Sequence, residues 1–153
     1  MSGIVCAIRG GPSSQSTIRA AIRLARERDA TITFLYVFDL AFLTRTSTVP
    51  PEGLADSMAQ MGEFILLMAQ DRALESGVPA EAVMRKGEVG EEIVALCNRL
   101  DADLVVVGAP LQGKDGAKRG NVFTPRGLQA LMARIAEQTG AEVVVVAHEE
   151  EGQ

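Results

Sequence analysis

The apolar run Leu104, Val105, Val106, Val107 breaks at Gly108 into a basic, glycine-rich loop, and a new helix opens at Thr124. No other stretch restricts the fold as much. A strand that stops on glycine and feeds a phosphate-sized loop ahead of a helix N-terminus is how α/β proteins build anion sites from backbone N–H groups. The remaining chain must then supply parallel strands and covering helices around that crest.

It does so in regular alternation. Ile4 to Ile8 is a short, nearly continuous apolar run, the pattern of a strand buried on both faces, and it ends at Arg9, Gly10, Gly11, Pro12. Ser13, Ser14 and Ser16 are N-cap candidates for a helix whose apolar residues Ile18, Ala21, Ile22 and Ala25 recur at three- and four-residue steps. Its charged face holds Arg19, Arg23, Arg26 and Glu27. Thr31 to Phe38 is dense in β-branched and aromatic residues and predicts the second strand, closed by Asp39. Pro50 and Pro51 place Thr44 to Gly53 in a surface loop, because proline lacks the donor and clashes with the preceding turn. From Leu54 to Ser76 the residues Leu54, Met58, Met61, Ile65 and Met68 trace one helical face, and Gly77 supplies a left-handed stop. Methionines at that spacing are read as core or subunit-contact filler rather than as an adaptable binding groove.

The second half repeats the pattern. Glu81 to Arg85 predicts a short third strand, closed by Lys86 and Gly87. Val89, Ile93, Leu96, Cys97 and Leu100 make an amphipathic helix, and Glu88, Glu91 and Glu92 in its first turns are read as complements to the helix dipole, not as an acid/base pair. After the loop, Thr124 followed by Pro125 is a capping side chain ahead of a proline at the first helical position. Leu128, Leu131, Met132, Ile135 and Thr139 face one way, and Gly140 ends that helix. Glu142 to Ala147, with four consecutive valines, is the last buried strand, and Glu149 to Gln153 is a solvated acidic tail. The order β-α-β-α-β-α-β-α-β predicts an α/β fold: a single-domain, open, parallel five-stranded sheet of Rossmann-like type with helices on both faces. Ligands bind such sheets beyond the carboxyl ends of the strands, where the winding reverses. Arg9 to Ser16 and Gly108 to Gly127 are the candidate crests.

Composition narrows the function classes. A chain of 153 residues is one domain by length, here taken as residues 1–153, and 47% hydrophobic with 23% charged residues is ordinary for a water-soluble globular protein. A net charge of −5 argues against general binding to nucleic acid, whose partners present a basic surface. Cys6 and Cys97 have no CxxC neighbour and no histidine cluster, which fits a reduced, cytoplasmic chain with core cysteines. The apolar run before Arg9 is too short for a signal peptide or a membrane span.

In layout the chain resembles the universal stress protein family, within the larger group of adenine-nucleotide-binding α/β folds of the alpha-hydrolase type. The resemblance is carried by Ile4 to Arg28, by Tyr36, Val37, Phe38, Asp39, by the run from Gly87 through Asp101, Ala102, Asp103 and Leu104 to Gly108, and by the valine-rich last strand. It implies a stress-response or regulatory module, not an enzyme, and a homodimer formed through the last strand, Glu142 to Ala147. Four valines on an open sheet edge independently call for a partner. Nucleotide-binding members carry Gly-x-x-Gly, nine residues, then Gly-Ser or Gly-Thr. Here Gly108 is followed three residues on by Leu111, the next glycine is Gly113, the pair would fall near Gln129 and Ala130, and Gly120 with Asn121 is a loose substitute. Those members also carry an acidic residue at the end of the first strand, where this chain has Arg9.

Two further readings stay open. One keeps ATP, AMP or a smaller anion by other means, held by Arg9 and Gly10, by Gly108 and Gly113, and by Lys114, Lys118, Arg119 and Arg126 around the helix start at Thr124, with Val37 at a position that the resemblance implies lines an adenine pocket. Against it stands the reading of 108–123 as a solvated, glycine-rich basic loop. The other is an ATP-hydrolysing or adenylate-transfer enzyme. His148, the lone histidine, sits beside the acidic tail, and no serine or cysteine has an evident base partner in sequence.

Overall fold

The computed structural model describes residues 3–8, 14–38, 51–108 and 125–146. Within them the elements are β1 (Gly3–Ile8), α1 (Ser14–Arg28), β2 (Thr31–Phe38), α2 (Pro51–Glu75), β3 (Ala80–Lys86), α3 (Val89–Leu100), β4 (Leu104–Gly108), α4 (Pro125–Thr139) and β5 (Glu142–Val146). All five strands are parallel, in the order β3-β2-β1-β4-β5. The expected fold class holds.

Period-two alternation sorts the strand residues between two cores. Ile4, Cys6 and Ile8, with Ile32, Phe34 and Tyr36 and with Leu104 and Val106, face α1 and α2. Val5, Leu35, Val105 and Val107 face α3 and α4, where Ile93, Leu96, Leu131 and Ile135 cover them. Strands buried on both sides read as continuous apolar runs, which is why β1 and β4 were legible as such. Each fully buried side chain of this size contributes about 1.5–3 kcal/mol. Below the sheet the strands are laced by Asp103 N to Gly3 O at 3.1 Å and Glu142 N to Asp103 O at 3.1 Å.

Two expectations are corrected. Helix α2 starts at Pro51, so residues 51–53 belong to the helix and not to a loop. A proline at the first helical position costs no hydrogen bond, since that N–H has no intrahelical partner. The rest of the expected loop, 44–50, lies outside the described residues. The inward face of α2 also differs: Gly62, Ile65, Leu66, Ala69 and Ala73 are buried, while Met61 is 50% exposed. Small residues let α2 lie close to the sheet, and of the two readings of the methionines, core filler does not hold at Met61. Leu100 at the end of α3 is likewise exposed. Gly77 and Gly140 take left-handed φ values of 82° and 75°, as stops require.

Candidate functional site

The sheet winds outward from β1 to β2 and β3, then reverses to β4 and β5, so the switch point lies between the carboxyl ends of β1 and β4. Their register pairs Cys6 with Val106, and carried two residues further it sets Ile8 level with Gly108. Arg9 and Gly10 follow directly, but lie outside the described residues, as do Gly113, Lys114, Lys118, Arg119 and Thr124. Gly108 is the last residue of β4, half-buried and in register with Val146. Val37 is the penultimate residue of β2, half-buried, opposite Arg85 and packed toward the core under α3 and α4. Arg126 occupies the first turn of α4. The described positions are therefore all at the carboxyl end of the sheet, on three different elements.

Charge at the helix starts separates two kinds of crest. Helices α1 and α4 have no acidic residue in the first turn. Their positive dipole ends are thus not offset by first-turn carboxylates of their own. Helix α3 is the opposite case. Glu88 is its N-cap, in extended conformation, accepting from Gly90 N at 2.8 Å and Glu91 N at 3.1 Å, with Glu91 and Glu92 in the first turn. Arg134 of α4 donates to Glu88 at 3.1 Å. Burial alone would raise the Glu88 carboxyl, but the hydrogen bonds from Gly90, Arg134 and Glu91 outweigh it and hold the group below its ordinary value. The acidic start of α3 is a structural cap, as its sequence position implied.

Sequence reasoning missed Gln15. Its side-chain oxygen, in the first turn of α1, is buried and has no hydrogen-bond partner among the described residues. Nothing in its sequence position separates it from the flanking serines, which are buried too. Both cysteines are free and buried. Burial raises the Cys97 thiol to about 11 and pushes Cys6 higher still, so neither is a nucleophile at neutral pH. His148 lies outside the described residues. Among the described residues no group of three or more His, Cys, Asp or Glu is placed to hold a metal ion, and no helix is long and apolar enough to cross a membrane.

Residues 1–122 match the model of the universal stress protein family. Universal stress protein YxiE of Bacillus subtilis is 32% identical over 123 residues, covering 75% of this chain and 82% of its own length. A universal stress protein of Methanocaldococcus jannaschii is 30% identical over 120 residues, covering 76% of this chain and 68% of its own. Among solved structures, universal stress protein UspA of Lactobacillus plantarum superposes with a TM-score of 0.71 at 18% identity, covering 95% of this chain and 97% of that one. An Archaeoglobus fulgidus universal stress protein in complex with dAMP gives 0.61 at 17% identity, covering 95% and 98%. An Arabidopsis thaliana family protein with AMP bound gives 0.61 at 18% identity, covering 99% and 95%.

Proposed function

The chain belongs to the universal stress protein family, and from that premise we propose that it is a non-enzymatic stress-response module, a cytoplasmic homodimer whose nucleotide site is altered. The observation that carries this reading is the pair of departures at the switch point: Arg9 directly after β1, and Leu111 three residues after the glycine that ends β4. A guanidinium only donates, so Arg9 cannot accept hydrogen bonds from a ribose as a carboxylate would. Leucine brings a branched side chain where a glycine lets the backbone approach a phosphate. The buried, protonated state of both thiols and the engagement of Glu88 as a cap support the absence of catalysis.

A second reading, retention of an adenine nucleotide or smaller anion, is favoured by two observations. The dipoles at the starts of α1 and α4 face the switch point without first-turn carboxylates, and solved relatives of the same fold carry AMP and dAMP. Val37 would line the base, Gly108 and the start of α4 at Arg126 would meet phosphate, and the Gln15 oxygen would accept from the ligand. Arg9, Gly10, Gly113, Lys114, Lys118, Arg119 and Thr124 would complete the site.

Thermal melts with Mg-ATP, AMP and inorganic phosphate separate the two. Ligand at a hundredfold its dissociation constant adds about 2.7 kcal/mol, enough to move the midpoint by several degrees. The altered-site reading expects no shift with ATP or AMP and no phosphate release. A shift with ATP that disappears when Lys114, Lys118 and Arg119 are all replaced by alanine would overturn it and establish the second.

A further inference from the structure

From the second turn of α1 toward the end of the sheet away from the switch point, α1 and α2 flank an open groove of about 650 Å³. Both helices connect parallel strands across the same face, so they run side by side in the same direction. Arg19, Arg23 and Arg26 line one wall and Arg72 the other, above a floor at Ile22. Four arginines on one groove of a chain with net charge −5 is a local inversion of sign. Helix-dipole compensation accounts for Arg26 and Arg72, which sit in the last turns of their helices. Arg19 and Arg23 lie further upstream, out of the dipole's range, and Arg23 meets Glu27 one turn on.

We propose that this groove binds an acidic segment of a protein partner, in extended conformation, through Arg19, Arg23, Arg26 and Arg72. Along α1 the step from Arg19 to Arg23 is about 6 Å and from Arg23 to Arg26 about 4.5 Å. Alternate residues of an extended peptide, which point the same way, recur at about 6.6 Å. Carboxylates at every second position therefore match the Arg19 to Arg23 step, and the flexible stem of Arg26 takes up the difference of about 2 Å at the next, each guanidinium able to hold one carboxylate with two parallel hydrogen bonds. The walls are solvent-exposed and the groove is open, so it suits a chain that brings several charges along its length better than a small molecule needing enclosure. Glu27 and Glu75 also line it, which disfavours the dense phosphate charge of a nucleic acid and leaves room for sparser carboxylates. Exchange is cheap. Arg23 meets Glu27 only at 3.8 Å with both side chains well exposed, and among the described residues no ion pair engages Arg26 or Arg72.

The test is fluorescence anisotropy at low ionic strength with a labelled peptide carrying glutamate at every second position, beside a lysine counterpart and a labelled oligothymidylate. The expected result is saturable binding of the glutamate peptide, weakened by added salt, and no binding of the lysine peptide. Replacing Arg23, Arg26 and Arg72 together by alanine, the best helix former, weakens it roughly tenfold or more. The same three positions as lysine retain most of it. Arg99→Ala, on α3 across the sheet, leaves it unchanged. Circular dichroism confirms that each variant is folded. The proposal is overturned if the glutamate peptide does not bind, if the alanine variant binds it as well as the parent, if Arg99→Ala costs as much, or if the oligothymidylate binds more tightly through the same arginines.

Discussion

Arg134 on α4 donates a hydrogen bond to Glu88, the N-cap of α3, across 3.1 Å and 46 residues of sequence. One carboxylate thus satisfies two backbone donors at a helix start and joins the two helices that cover one face of the sheet. Its neighbour Gly90 is part of the same arrangement, because a Cβ there would fall 2.6 Å from the Arg134 guanidinium. Glu88→Ala removes the cap and the interhelix bond together, and is expected to cost about 1–2 kcal/mol in urea unfolding. Arg134→Ala leaves the cap in place and should cost less, since the pair is partly exposed.

The same carboxylate gives stability a pH dependence of known sign. The folded state holds Glu88 below its ordinary value of 4.5, so the unfolded chain binds the proton more readily. Its contribution is fully present above about pH 4.5 and is lost as pH falls through the lower folded value. Urea midpoints measured down an acid series should fall less steeply for Glu88→Gln than for the parent. A parallel decline would show that Glu88 is not a source of the acid sensitivity.

Gly62 sits where α2 crosses β2, and a Cβ there would lie 2.7 Å and 2.9 Å from ring atoms of Tyr36 and 3.1 Å from the Met84 sulfur. Tyr36 is buried and its ring cannot simply swing aside. Gly62→Ala gains about 1 kcal/mol of helix propensity and loses about 1–3 kcal/mol to overpacking. A net loss of about 1 kcal/mol is expected by urea unfolding. An increase in stability would mean that α2 shifts outward at no cost.

The strands were legible because burial on both faces leaves β1, β2 and β4 as runs of β-branched and aromatic residues, and α1 because Ile18, Ala21, Ile22 and Ala25 all face the core. Helix α2 was legible as a helix, but its inward face was not, because the helix is apolar on two sides. Its inward face is built of Gly62, Ala69 and Ala73 around Ile65 and Leu66, while Met61, Phe64, Leu67 and Leu74 are exposed. A search for large apolar residues at helical spacing therefore picks up part of the wrong face. Pro51 misled for a related reason: the same residue stops one helix and starts another, and only its position in the turn decides. At the candidate site, Gly108 was legible as a crest position because an apolar strand stops on it, whereas Val37 came only from the family resemblance. The partner of Glu88 is 46 residues away, and no local pattern could name it. Gln15 depends on burial, which its own sequence neighbourhood does not encode.

Cys6 is wholly buried under α1, and Cys97 faces the other core. With burial raising Cys97 to about 11 and Cys6 further, both thiols are protonated and shielded at neutral pH. A chromogenic disulfide reagent is expected to label neither in the native protein and both in denaturant. Fast native labelling at neutral pH would contradict the packing of β1 or α3, and mass spectrometry would say which.

The last strand provides the sharpest check on the proposed dimer. Val105, Val106 and Val107 on β4 are buried, but Val143 to Val146 on β5 are only half-buried, because β5 is the edge of the sheet and the helices on each side reach over it incompletely. A row of valines with open main-chain groups is a template for pairing with another strand. If a second copy covers it, the protein sediments as a dimer, and Val145→Lys, which places a charge on that edge, shifts it to monomer while circular dichroism still reports a folded α/β domain. A parent protein that sediments as a monomer throughout the accessible concentration range would remove the dimer from the proposal. A Val145→Lys variant that stays dimeric would move the contact off β5.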